Sequence, residues 1–145
     1  MMPFDLFPNG GTEPLGIPDM GDNTSRKSYG IPTFQLCGYY CAYCGADLHK
    51  DYQSWLSITI DHVVPRATRW AEQHRDWIED LFNRVTCCGA CNAFLNRFEC
   101  QDQPPNTTDE FIEIQDRIFR AKCERVRQRH HEERMWFETN VAHHI

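Results

Sequence analysis

The sequence predicts a small α+β domain, closed by a four-cysteine zinc site and followed by a long C-terminal helix. Three observations carry that expectation. Two Cys-x2-Cys pairs, Cys41/Cys44 and Cys88/Cys91, are separated by 43 residues, enough chain to fold between them and return. Short β-branched runs and short helical patterns alternate around those pairs, giving mixed rather than uniform periodicity. Finally, Thr107 with Glu110 three positions later is a capping-box pattern, opening a helix over roughly residues 108–138.

A chain of 145 residues is one small domain with tails. The formal net charge of −6 argues against a basic face spread over the whole surface. Charge is uneven, however. Arg117, Arg120, Lys122, Arg125, Arg127, Arg129 and Arg134 stand against Glu124, Glu132 and Glu133 within one stretch, so a polyanionic partner is not excluded. No apolar run resembles a signal peptide or approaches the roughly 20 residues of a membrane span. The chain reads as cytoplasmic and reduced, a setting in which paired cysteines are more often metal ligands than bridges.

In chain order, residues 1–30 carry Pro3, Pro8, Pro14 and Pro18 with little apolar periodicity, the composition of a disordered arm. The domain core is expected over residues 31–100. In CAYCG, Gly45 permits the tight turn that aims Cys41 and Cys44 at one ion, with Tyr39, Tyr40 and Tyr43 packing around the knuckle. WLSITI, residues 55–60, alternates as a strand and delivers Asp61 and His62. Pro65 ends regular pairing. Trp70, Trp77, Ile78 and Leu81 fall at near-helical spacing and predict a helix over 68–82. Residues 84–86 suit a short second strand, and 89–98 a short helix carrying Asn92, Leu95 and Asn96. After a break at 101–109, residues 101–145 form a linker and the C-terminal helix, whose stripe is read as Phe111, Ile114, Ile118, Ala121 and Arg125.

Two cysteine knuckles from distant segments are what tetrahedral zinc needs, and an all-thiolate site is closed and therefore structural. Cys41, Cys44, Cys88 and Cys91 are the favoured ligands; Cys87-x3-Cys91 is an open alternative to Cys88. The Asp61-His62 pair is a weak signal taken alone, though its residue types suit hydrolysis. An imidazole titrates close enough to neutrality to act as a base, and a carboxylate is a hard ligand for Mg²⁺ or Mn²⁺. Neighbours on a regular strand point to opposite faces, so both can serve one site only if the chain bends or bulges there.

Asp61-His62-Val63-Val64-Pro65, then Asn83, then Cys88-Gly89-Ala90-Cys91-Asn92, in this order within two thiolate pairs, resembles the HNH endonuclease family over roughly residues 37–98. The resemblance implies a ββα-metal core and hydrolysis of DNA phosphodiester bonds. It places Asp61 and Asn92 as ligands of a catalytic Mg²⁺ or Mn²⁺, His62 as general base, and Asn83 as the residue orienting the loop that bears His62. Two departures stand out. Helical sequence follows Asp-His-x-x-Pro where many members have Gly-Gly, and Leu95 stands where many have a basic residue. Arg66, Arg69 and Arg97 are the candidate phosphate contacts.

Arg117, Arg120, Arg127 and Arg134 are spaced to share a helix face, which suits either DNA phosphates or a solvated face with i,i+4 partners. The histidines His49, His74, His130, His131, His143 and His144 lack matching partners and read as surface residues. The expected partner is DNA, with RNA possible and a targeting protein conceivable. The rival reading is a non-catalytic zinc-stabilised module that binds nucleic acid or protein.

Overall fold

The computed structural model describes residues 30–144; the arm expected over residues 1–30 lies, but for its last residue, outside them. The described chain mixes helix and strand. Helix α1 spans Ile31–Leu36, α2 Tyr52–Leu56, α3 Arg75–Ile78, α4 Gly89–Phe94 and α5 Thr108–Asn140. Two strands, β1 at Ile58–His62 and β2 at Arg84–Cys88, form an antiparallel pair. Among the described residues no helix is long and apolar enough to cross a membrane.

The first strand differs from its expected bounds. Asp51 accepts a hydrogen bond from the Ser54 amide and caps α2, so Trp55 and Leu56 end a helical turn. β1 therefore starts at Ile58 and takes in Asp61 and His62 themselves. Its register with β2 runs without interruption from Ile58↔Cys88 to His62↔Arg84. No bulge is needed to bring Asp61 and His62 to a common site, because His62 ends the strand and the chain turns there.

The helix expected over 68–82 is broken. A 3-10 turn at Ala71–His74, the single turn of α3 and a 3-10 turn at Leu81–Asn83 replace it. The break has an electrostatic cause. Asp80 is extended (φ −65°, ψ 147°), its carboxylate accepts from the Phe82 amide, and the Ile78 carbonyl is taken by the Asn83 side chain. The apolar positions are nevertheless inside, with Trp70, Ile78 and Leu81 all buried.

β2 is longer than expected and is buried along its whole length. Cys88 caps α4, its sulfur accepting from the Cys91 amide. α4 ends at Phe94, followed by Arg97 with φ 64°, a left-handed conformation that costs a non-glycine residue about 1 kcal/mol.

α5 is 33 residues long, which at 1.5 Å per residue is on the order of 50 Å. Thr107 Oγ1 accepts from the Glu110 amide, while Glu110 reaches back one residue further than the usual box, to the Asn106 amide. Its buried face is Phe111, Ile114, Gln115, Ile118, Phe119, Lys122 and Val126. Ala121 and Arg125, read as part of the stripe, are exposed. The face turns through Phe119 and Lys122, because a partner for the ammonium lies beneath it. The N-terminal half of α5 joins the single core with Phe34, Val63, Val64, Trp70, Phe82 and Val85. Residues beyond Val126 are mostly exposed.

Candidate metal centre and catalytic cluster

The sulfurs of Cys41, Cys44, Cys88 and Cys91 all lie within 4.8 Å of one another. Ligands at 2.3 Å in a tetrahedron stand about 3.8 Å apart, and Cys44 Sγ and Cys88 Sγ are 3.8 Å apart. The four can hold a metal ion such as zinc. Local structure prepares the site. Gly45, at φ 77°, returns its amide to the Cys41 carbonyl, and the Cys88 amide points at Cys41 Sγ at 3.4 Å. The geometry chooses between Cys87 and Cys88: Cys87 is fully buried and its thiol touches Cys41 alone among the four, while the Cys88 sulfur lies within 4.8 Å of all the others.

The contact with Cys44 holds Cys41 far below an ordinary thiol, while the contact with Cys41 pushes Cys44 and Cys91 far above it. Four sulfurs this close need a cation to ionise together. From α5, His130 Nε2 lies 3.5 Å from Cys91 Sγ, and its ring meets Phe94 edge-on at 4.9 Å. His130 is thus a neighbour of the cluster rather than a plain surface residue. His49 and His74 also have ring partners, in Tyr39 and Trp77.

Asp61, His62 and Asn92 line one open cavity of about 530 Å³, together with Arg66, Arg97 and Lys122. Asp61 and His62 come from β1, and Asn92 from the exposed side of α4. Arg69 lies elsewhere. It lines an adjoining cavity with Trp70 and Gln73, to which Arg97 also contributes. The reason is the short turn after Pro65, where the Thr68 amide bonds the Pro65 carbonyl.

Asn83 is fully buried and binds the backbone that follows His62. Its Oδ1 accepts from the Val64 amide at 2.9 Å, and its Nδ2 donates to the carbonyls of Val64 at 3.0 Å and Ile78 at 2.9 Å. The Val63 amide donates to the Asn83 carbonyl at 2.9 Å. Asn83 therefore fixes the segment bearing His62 without lining the cavity.

Three further residues shape the cluster, and none has a signal in the sequence. Glu79 holds Arg66 in a two-pronged ion pair, at 2.6 and 2.9 Å, and places Oε2 3.3 Å from His62 Nε2. Desolvation of the His62 ring lowers its pKa below the usual 6.5, against the opposing pull of Glu79. Tyr43, expected only to pack, is buried and donates its hydroxyl to Asp61 Oδ2 at 2.5 Å. Burial raises the Tyr43 pKa well above its usual value, so it stays a donor. Lys122 donates to the same Oδ2 at 2.8 Å.

On α5, Arg117 pairs with half-buried Asp102, and Arg120 with Asp116 and Arg127 with Glu124 in exposed pairs. Such pairs contribute little to stability.

Compared with family models, with curated proteins and with solved structures, the chain finds no match.

Proposed function

We propose that the chain is a metal-dependent endonuclease of the HNH type, hydrolysing DNA phosphodiester bonds. One observation carries the reading. Asp61 and His62 from β1 and Asn92 from α4, separated by about 30 residues of chain, line a single open cavity, behind which buried Asn83 pins the loop. The α4 end of that arrangement is fixed by the four sulfurs, to which we assign structural zinc.

In the proposed mechanism His62 accepts the proton of the attacking water. Glu79 beside Nε2 orients the ring, and when Nε2 carries the hydrogen, Nδ1 is the basic nitrogen. Asp61 and Asn92 offer an anionic and a neutral oxygen, a hard donor set that suits Mg²⁺ or Mn²⁺ with water completing the shell. Among the described residues no hydrogen bond is made to Asp61 Oδ1, since Tyr43 and Lys122 both meet Oδ2, so one carboxylate oxygen suits a cation. A bound dication supplies positive charge for the phosphate and the leaving 3′-oxygen. Arg66 and Arg97, on the cavity wall, attract the flanking phosphates.

The test is plasmid nicking with Mg²⁺, Mn²⁺ or EDTA. His62→Ala is expected to abolish divalent-dependent nicking with zinc content unchanged; persistent cleavage would remove His62 as the base. The rival reading, a non-catalytic zinc-stabilised binding module, draws on the Lys122 ammonium that already neutralises Asp61. It requires DNA binding in EDTA with no cleavage under any divalent ion.

A further inference from the structure

Lys122 is a buried cation that the mechanism above leaves without a task. It lies on α5, outside the segment that resembles the nuclease family, and its side chain is 2% exposed. Its Nζ donates to Asp61 Oδ2 at 2.8 Å and to the His62 carbonyl at 3.0 Å, and sits 5.5 Å from the centre of the Phe98 ring. Burying an ammonium sacrifices hydration that a methionine of similar length does not have to lose. The contact that offsets this cost is with Asp61, and the same lysine lines the cavity shared by His62 and Asn92.

Resting on the nuclease reading, we propose that Lys122 is a positioning residue that serves as the built-in counter-ion of Asp61 and sets how tightly the cavity holds a divalent cation. Together with Tyr43 it fixes one carboxylate oxygen, turning the other toward the ion. Its charge opposes the incoming dication across a single carboxylate. The C-terminal helix is thereby part of the catalytic cluster. The site holds its catalytic ion weakly and exchangeably, in contrast with the closed sulfur site.

A purely structural lysine, anchoring α5 to β1, predicts something different. Its loss lowers stability and leaves ion affinity alone or weakens it. The two roles separate in a Mn²⁺ titration of zinc-loaded, DNA-free protein, followed by electron paramagnetic resonance. Lys122→Met and Lys122→Gln are compared with wild type, and Asp61→Asn identifies binding at this site. Gln keeps an amide donor for Asp61 and covers the case in which Met does not fold against the carboxylate; zinc content and circular dichroism report folding. Removing the charge is expected to tighten Mn²⁺ binding at the Asp61-dependent site by about tenfold or more. Tyr43→Phe, which removes a donor to the same oxygen without removing charge, is expected to change it by less than about threefold. Affinity in the Lys122 variants that is unchanged or weaker overturns the proposal, as does the absence of any Asp61-dependent Mn²⁺ binding. A protein that binds Mn²⁺ in the expected order but never cuts DNA sinks the nuclease reading and leaves this assignment standing.

Discussion

Replacing Asn83 with Ala isolates the residue that holds the His62 loop. The side chain is fully buried and makes three hydrogen bonds, to the amide and carbonyl of Val64 and to the carbonyl of Ile78. Alanine leaves all three backbone groups in the interior without a partner. Each unpaired buried group costs about 1–3 kcal/mol. Water entering the space left by the amide would satisfy some of them, which places the net loss at about 3–5 kcal/mol. That is a large fraction of the roughly 5–15 kcal/mol that holds an ordinary domain together. The assay is guanidinium unfolding of zinc-loaded protein at fixed free zinc, because metal binding is linked to folding. Asn83→Asp, which keeps the acceptor for the Val64 amide and loses both donors, is also expected to be strongly destabilising. A loss below about 1 kcal/mol for Asn83→Ala would refute the reasoning, since it would mean the three backbone groups find partners elsewhere.

Further outcomes follow from the same geometry. Cys88→Ser is expected to lose the metal, and Cys87→Ser to keep one ion per chain, as read by elemental analysis of purified protein, because Cys87 lies outside the four-sulfur cluster. His130→Ala removes the ring beside Cys91 Sγ and is expected to weaken metal affinity by about tenfold or more in a chelator competition. For His62, burial lowers the folded pKa below 6.5, so on the nuclease reading the neutral imidazole persists to lower pH and the acid limb of the nicking rate is expected to have its midpoint below pH 6.5. Glu79→Gln removes the carboxylate that opposes this shift and is expected to move the limb lower still. The sign for stability agrees. A depressed histidine pKa contributes stability that is present above its unfolded value of about 6.5 and lost as pH falls through the folded pKa.

Legibility in the sequence tracked the range of the interactions involved. The cysteine pairs were readable because the turn chemistry of each knuckle is local: Gly45 needs its positive φ, and Cys88 caps the helix that presents Cys91. The cap at Thr107 and the start of α5 were local too. Asn83 was identified by its place in the motif, but its three backbone partners were visible only in the fold. The helix expected over 68–82 gives way because Asp80 and Asn83 take backbone groups that a helix needs, although the apolar spacing itself is real.

The sequence by itself singled out the sulfurs, the Asp-His pair and the two amides as candidates, since each belongs to a short segment with its own turn or strand preference. Tertiary structure alone decided that Cys88 rather than Cys87 joins the cluster, that Asp61, His62 and Asn92 share one cavity, and that Tyr43, Glu79 and Lys122 surround them. Lys122 stands 61 positions from Asp61, and the ion pair between them leaves no periodic trace in either segment. A lysine among arginines on a long helix looks like solvated charge until the packing of Phe119 and Val126 on either side turns it inward.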